Sequence, residues 1–156
     1  MEFYSTIPSA LGEIMLTSDG EALTGLWFAD RRSSGGLIPD EGLPIFAKTA
    51  DWLRRYFLGD APDPEEIPIR LHGSAFAMSV WEQLKAIPYG ETVSYGDIAR
   101  RIGCRSAQAV GGAVGRNPIS IIVPCHRVMG ADGSLIGYAG GLERKIALLK
   151  IEGGLK

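Results

Sequence analysis

The sequence predicts an α+β fold: a small N-terminal β-meander with one helix over residues 1–73, then a mainly helical domain over residues 74–156 that contains a helix-turn-helix. Three observations lead there. Three short β-prone runs, separated by turn residues, fill the first thirty positions. Apolar residues at three/four spacing mark helices from Pro44 and again from Ser74. Near residues 72–75 an acidic, proline-bearing connector gives way to strongly amphipathic sequence, which sets the boundary.

The three strands are expected at Glu2–Ile7, Gly12–Thr17 and Ala22–Phe28, with Pro8-Ser9-Ala10 and Ser18-Asp19-Gly20-Glu21 turning the chain between them. Residues 30–43 are polar and glycine-rich and read as a loop. A helix follows over Pro44–Leu58, with Phe46, Ala50, Leu53 and Phe57 inward. Ala61–Glu66 is a connector, and Ile67–Leu71 is expected to add a strand. Ser74–Ile87 is the strongest helix, with Phe76, Val80, Trp81 and Leu84 on one side, ended by Pro88-Tyr89-Gly90. Ser94-Tyr95-Gly96-Asp97 has the capping-box form and opens a helix that buries Ile98, Ala99 and Ile102. Gly103-Cys104-Arg105 turns the chain. Ser106 caps a second helix with Ala107, Val110, Gly111 and Val114 inward. Asn117-Pro118 stops it. Ile119–Val123, apolar and β-branched, reads as a buried strand leading to Pro124-Cys125-His126-Arg127. The last helix is expected over Leu142–Glu152, with Leu142, Ile146 and Leu149 inward.

Composition narrows the function classes. Hydrophobic content of 46% and charged content of 22% are those of a soluble globular protein, and no apolar run approaches a membrane span. The N-terminus Met1-Glu2-Phe3-Tyr4 lacks the form of a signal peptide, so a cytoplasmic protein is expected. Two cysteines and two histidines without paired spacing predict neither a disulfide framework nor a metal site. Net charge is −2, but its distribution is uneven: residues 1–75 carry −6 and residues 76–156 carry +4. Arg100, Arg101, Arg105, Arg116 and Arg127 lie in the acid-free stretch 98–131. This asymmetry points to nucleic acid, and a chance arginine surplus accounts for it equally well. The Gly111-Gly112 pair costs helix stability, about 1 kcal/mol per glycine. Close approach of DNA and tight helix packing explain it equally well.

Cysteine is most often a small buried hydrophobe, and Cys104 reads that way. Cys125 has a different setting, after a buried run and a proline and beside an imidazole and a guanidinium. A nearby proton acceptor and positive charge favour thiolate, the nucleophilic form. Side chains adjacent on a strand point apart, so His126 serves Cys125 only if the chain turns here.

Ile121-Ile122-Val123-Pro124-Cys125-His126-Arg127-Val128 resembles the active-site signature of the O6-alkylguanine-DNA alkyltransferases, or methylated-DNA–protein-cysteine methyltransferases. Val93-Ser94-Tyr95, Ala109-Val110-Gly111-Gly112-Ala113, Arg116-Asn117-Pro118, Tyr138-Ala139-Gly140-Gly141-Leu142 and Leu148-Leu149-Lys150-Ile151-Glu152-Gly153 resemble further motifs of that family, in the family's order. The resemblance covers roughly residues 74–154, and the N-terminal part fits only in outline. It implies a single, irreversible transfer of an alkyl group from O6-alkylguanine to Cys125, with O4-alkylthymine a secondary candidate. His126 would take the thiol proton through a water, and Glu152 would orient and polarise His126. Asn117 would hold the turn before the active-site strand, and Tyr95 would donate to the guanine ring and crowd the adjacent phosphate. The carbonyls of Cys125 and Val128 would accept from the guanine amino group; Tyr138, Ala139 and Gly140 would complete the pocket. Ser94, Tyr95, Ser106 and Ala107 would contact DNA, as would Gln108, Gly111, Gly112, Arg116 and Arg127. The recognition helix 106–115 would lie in the minor groove of double-stranded DNA, with the target base flipped out. The implied protein is a monomer without cofactor.

Two positions depart from the family pattern. Gln108 stands where many members have an arginine that fills the space left by the flipped base, and glutamine neither stacks nor carries charge in that way. The zinc ligands found in the N-terminal part of some members are missing. Three competing readings have their own signatures. A non-catalytic alkylguanine-binding relative would lack Cys125. A cysteine hydrolase would turn over repeatedly. A plain helix-turn-helix regulator leaves Cys125, His126 and Glu152 without a task.

Overall fold

The computed structural model describes residues 1–135 and 137–154. The chain divides into two compact units, Met1–Leu71 and His72–Lys156.

In the first unit, β1 (Phe3–Ile7), β2 (Ile14–Ser18) and β3 (Leu23–Phe28) form an antiparallel meander. The expected loop over 30–43 contains a short strand, β4 (Ile38–Pro39), which pairs in parallel with β1 and gives the order β3-β2-β1-β4. A two-residue pairing between distant segments leaves no local pattern. Ile67–Leu71, expected as a strand, makes only an isolated bridge between Ile69 and Leu23; Pro68 removes one ladder donor from this short segment. Helix α1 (Pro44–Phe57) starts on a proline, as first helical positions allow, and buries Ile45, Phe46, Thr49, Trp52, Leu53 and Tyr56. Its inward stripe is therefore rotated from the expected one, leaving Ala50 and Phe57 half-buried. The rotation follows from the two large aromatics, Trp52 and Tyr56, which stack at 5.6 Å and take the core positions.

The second unit is built from α2 (Ala75–Lys85), α3 (Tyr95–Arg101), α4 (Ala107–Gly115) and α5 (Leu142–Ile151), with a short parallel pair, β5 (Val93–Ser94) and β6 (Val128–Met129). The caps follow the sequence. Ser74 accepts from the Ala77 N–H and Ser106 from the Ala109 N–H, and Ser94 with Asp97 closes a reciprocal capping box. The Trp81 indole N–H donates to the Ala113 carbonyl at 2.9 Å, pinning α2 to α4, where Val110, Ala113 and Val114 are buried. Ala107, expected inward, is exposed. The inward face of α4 begins one turn later, so its first turn faces solvent.

Two further expectations are corrected. Ile119–Val123 is buried but is a series of tight turns, not a strand; Ile121 has a φ of +70°. An apolar β-branched run is compatible with either form; here Ile119 makes a single bridge and the chain turns after it. In α5, Leu142 is 53% exposed, whereas Lys145 is fully buried beside Leu148 and Leu149. The apolar stripe places Lys145 inside because its ammonium finds two carbonyls there, Val128 at 2.6 Å and Gly137 at 3.1 Å.

Candidate functional site

All the expected site residues lie in the second unit, where the tight turns of 119–123 deliver Cys125. Asn117 holds them: its Nδ2 donates to the Val123 carbonyl at 2.8 Å, and its Oδ1 accepts from the Ile119 N–H at 3.1 Å. Cys125, His126 and Arg127 then form one turn of 3-10 helix. A turn of this kind spreads neighbouring side chains by about a third of a revolution each. So His126 is not forced to the face opposite Cys125, as a strand would require.

Behind this turn stands Glu152, the last residue of the α5 region. His126 Nε2 lies 2.6 Å from Glu152 Oε2, with both side chains fully buried. Arg127 Nε donates to Glu152 Oε1 at 2.7 Å and its Nη2 to Oε2 at 3.0 Å. Arg127 Nη1 donates to the Ile87 carbonyl at 2.7 Å, and the guanidinium lies 5.7 Å from the centre of the Tyr89 ring. Tyr89 in turn donates to the Ile151 carbonyl at 3.2 Å. The turn after α2 thus wraps the end of α5. Gly90 has a φ of +83°, and a Cβ there would come within 3.0 Å of the Glu152 carbonyl, so the wrap needs glycine.

This arrangement corrects the expected role of Arg127 on DNA. Its guanidinium is buried and spent on a carboxylate and a carbonyl, so it presents no charge to a phosphate. It also changes the argument for the thiol. Burial pushes the Cys125 thiol up; hydrogen bonding from Asn117, the nearby charge of Lys145 and Ser120 pull only partly against this. At rest Cys125 is a thiol, and it needs a base. Burial lowers His126, despite its bond to Glu152, so the imidazole is neutral and able to accept a proton. Burial by itself would raise Glu152, but the hydrogen bonds from His126 and Arg127, with the Arg127 charge, bring it down to about 2. An ionised Glu152 accepts the Nε2 proton of His126 and leaves Nδ1 with its lone pair. That atom is buried, with no hydrogen-bond partner among the described residues.

The shifts predict an acid response. A carboxyl held at about 2 in the folded protein, against an ordinary 4.5, adds stability that is complete above 4.5 and lost as the pH falls toward 2. Breaking such a buried pair costs about 3–5 kcal/mol. Wild type is expected to melt well above Glu152→Gln at neutral pH, and the two melting temperatures should converge as the pH approaches 2. A gap that does not change with pH contradicts an ionised Glu152. The lowered His126 adds acid lability below its ordinary 6.5 in both proteins, and more in the variant, which lacks the Glu152 carboxylate that raises it; the gap should therefore widen somewhat below 6.5 before it closes toward 2.

The remaining expected residues divide into two groups. Tyr95 opens α3, and its hydroxyl donates to the Gly137 carbonyl at 3.4 Å. Gly137 has a φ of +71°, and a Cβ there would come within 3.0 Å of the Tyr95 hydroxyl. Tyr138 meets the His126 ring edge-on at 6.4 Å. Ala139 is exposed, Gly140 is buried, and the Val128 carbonyl accepts from Lys145. Lys145, lowered by burial to about 8, and Ser120 are site residues that sequence reasoning missed. A lysine inside a helix's apolar stripe is the signal that could have found the first.

The second group is on the surface. Ser106, Ala107, Gln108 and Gly112 are exposed along α4, with Arg100, Arg101, Arg105 and Arg116 exposed around it. Ser94, half-buried, is committed to the capping box. A Cβ on Gly111 would meet the Tyr95 ring at an ordinary 3.8 Å, and one on Gly112 would meet only the Arg116 side chain, at 3.2 Å. Packing between helices therefore does not require this glycine pair. Cys104, expected as a buried hydrophobe, is half-buried and exchanges hydrogen bonds with Ser106. Among the described residues, no cluster of three or more His, Cys, Asp or Glu is placed to hold a metal, and no helix is long and apolar enough to cross a membrane.

Comparison with known proteins gives one consistent result. Residues 3–71 match the ribonuclease-like domain of 6-O-methylguanine DNA methyltransferase, and residues 75–154 match its DNA binding domain. The chain is 41% identical over 153 residues to the methylated-DNA–protein-cysteine methyltransferase of Haemophilus influenzae, covering 96% of this chain and 86% of the relative. It is 46% identical over 151 residues to that of Mycobacterium leprae, covering 94% and 90%. The crystal structure of Mycobacterium tuberculosis OGT in complex with DNA superposes with a TM-score of 0.89 at 46% identity, over 97% of this chain and 92% of that one. The O6-methylguanine-DNA methyltransferase of Pyrococcus kodakaraensis KOD1 gives a TM-score of 0.70 at 27% identity, covering 98% and 99%. With both halves matched in order and relatives this similar along their length, the chain belongs to the 6-O-methylguanine DNA methyltransferase family.

Proposed function

We propose that this chain is a methylated-DNA–protein-cysteine S-methyltransferase that repairs O6-alkylguanine in double-stranded DNA by moving the alkyl group onto Cys125, once per molecule. The observation that carries this reading is the buried Cys125–His126 turn backed by Glu152: a protonated thiol beside a neutral imidazole whose Nε2 side is tied to a carboxylate. His126 Nδ1 takes the Cys125 proton, directly or through a water. Sγ then attacks the alkyl carbon. The S–C bond forms as the C–O6 bond breaks, and its electron pair goes to the guanine, which takes up a proton. In sum the thiol hydrogen is exchanged for the alkyl group. The product is a thioether, which nothing in the site hydrolyses.

The alkylated oxygen sits in a stacked duplex, so the base must leave the stack. Tyr95, Val128, Tyr138, Ala139 and Gly140 are the wall that would receive it, with Asn117 holding the turn beneath. The exposed first half of α4, Ser106, Ala107 and Gln108, with Gly111 and Gly112, is the surface that would enter the minor groove, and Ser94 and Tyr95 would meet the backbone beside it. Residues 1–73 would form the separate N-terminal domain and 74–156 the DNA-binding and acceptor domain. The protein would act as a monomer in the cytoplasm, whose reducing conditions keep Cys125 a thiol.

Two measurements test this. Protein mixed with excess O6-methylguanine oligonucleotide should stop after one equivalent; continued turnover would instead support a hydrolase. DNA affinity should fall steeply with salt, because Arg100, Arg101, Arg105 and Arg116 displace counterions. Affinity that does not vary between low and physiological ionic strength contradicts the arginine face.

A further inference from the structure

We propose that Arg127 is a positioning residue of the transfer reaction: by clamping Glu152 it holds the His126 proton on Nε2 and so leaves Nδ1 as the base. This rests on the reading of Cys125 as acceptor and His126 as base.

Glu152 Oε2 is shared. It faces His126 Nε2 at 2.6 Å and Arg127 Nη2 at 3.0 Å, while Oε1 takes Arg127 Nε at 2.7 Å. The guanidinium plane therefore fixes both oxygens, and with them the direction of the lone pair offered to the imidazole. A carboxylate without the two-point guanidinium contact has more freedom about its own side-chain torsions, and the imidazole with it. Arg127 is in turn immobilised by the Ile87 carbonyl at 2.7 Å and the Tyr89 ring at 5.7 Å. The clamp also matters for charge. With Glu152 balanced by Arg127, the resting His126 has little reason to take a second proton, so it enters the reaction as a neutral base. An unbalanced carboxylate 2.6 Å away would favour imidazolium, which has no lone pair to offer. Histidines that bind metal depend on comparable outer partners, whose loss lowers metal affinity or activity roughly 10–100-fold, and the same scale is expected for a histidine base oriented in this way.

Lysine does not replace the clamp, because one ammonium cannot span two carboxylate oxygens and the Ile87 carbonyl with fixed geometry. In Arg127→Lys the transfer rate at saturating DNA should fall roughly 10–100-fold, while DNA affinity and its salt dependence stay at wild-type values. The nitrogen resonances of His126 should show one neutral tautomer, protonated on Nε2, in wild type. That signature should be lost in Arg127→Lys, which a merely structural role would not produce. Arg127→Met takes the guanidinium from a buried carboxylate and can fail to fold. The double variant Arg127→Met/Glu152→Gln removes both charges and keeps the test open: it should transfer no more slowly than Glu152→Gln alone. A wild-type rate in Arg127→Lys, an unchanged Nε2 signature, a further loss in the double variant, or weaker DNA binding with a shallower salt slope would each overturn the proposal. Absence of transfer to Cys125 in wild type would instead remove the reading on which it rests.

Discussion

Cys125→Ser is expected to lower alkyl transfer by on the order of 10³ or more while leaving DNA affinity largely intact. The site supports the thiol only at the moment of reaction. Burial holds it protonated, and a neutral imidazole takes the proton when the substrate is in place. A serine hydroxyl starts from a far less acidic group in the same dry surroundings, and oxygen is a poorer nucleophile toward alkyl carbon. The surface that would meet DNA, along α4 and its flanking arginines, does not include residue 125, so binding should survive. Cys104→Ser should transfer normally, since Cys104 only exchanges hydrogen bonds with Ser106 in the turn before α4. Transfer measured at single-turnover excess of protein, beside a DNA titration, reads both effects. Retained transfer in Cys125→Ser, or its loss in Cys104→Ser, would place the acceptor elsewhere.

Asn117→Ala should cost about 1.5–4.5 kcal/mol of stability: it strands the buried Ile119 N–H at about 1–3 kcal/mol and takes from the Val123 carbonyl, which keeps the Cys125 N–H, one hydrogen bond worth about 0.5–1.5 kcal/mol. The side-chain amide satisfies the Val123 carbonyl and the Ile119 N–H, which bracket the tight turns. Within that bracket Ile121 has a φ of +70°, a conformation that disfavours a β-branched residue by about 1–3 kcal/mol. Without Asn117 the strain rests on the turn's own backbone bonds, Val123 N–H to the Ile119 carbonyl at 3.1 Å and Ile122 N–H to the Ser120 carbonyl at 2.8 Å, and the Cys125 turn is expected to loosen against His126 and Glu152. The melting temperature should fall by roughly 3–18 °C, with transfer slowed even at temperatures where the variant is folded. Asn117→Asp keeps the acceptor but not the donor and should lie between the two. An Asn117→Ala protein that melts with wild type would show that the turn is held by other contacts.

The parts of this fold that were legible in the sequence are the local ones. Ser74, Ser94 with Asp97, and Ser106 begin their helices as capping chemistry predicts, and the first thirty residues form the expected meander. What was not legible depends on partners far along the chain. Nothing near Ile38 shows that it pairs with β1. Lys145 reads as a surface residue until the carbonyls of Val128 and Gly137 are seen to receive it. Arg127, adjacent to the expected nucleophile, reads as a phosphate contact or a thiolate partner; its bonds to Glu152, 25 positions away, make it neither. Ile119–Val123 has the composition of a buried strand, but backbone bonds within it and the two hydrogen bonds of Asn117 turn it. The candidate site followed the same division: Cys125, His126 and Glu152 were named from motifs, while their electrostatics required the folded chain.

The assignment of Cys125 as alkyl acceptor can be read from one covalent bond. Full-length protein is incubated with an oligonucleotide duplex carrying O6-methylguanine, digested, and sequenced by mass spectrometry. The peptide containing Cys125 should carry one methyl group in place of the thiol hydrogen, in step with conversion of O6-methylguanine to guanine, and the Cys104 peptide should be unmodified. Repair of the guanine with an unmodified Cys125, or methyl found on Cys104 or on no residue of the chain, would contradict the account.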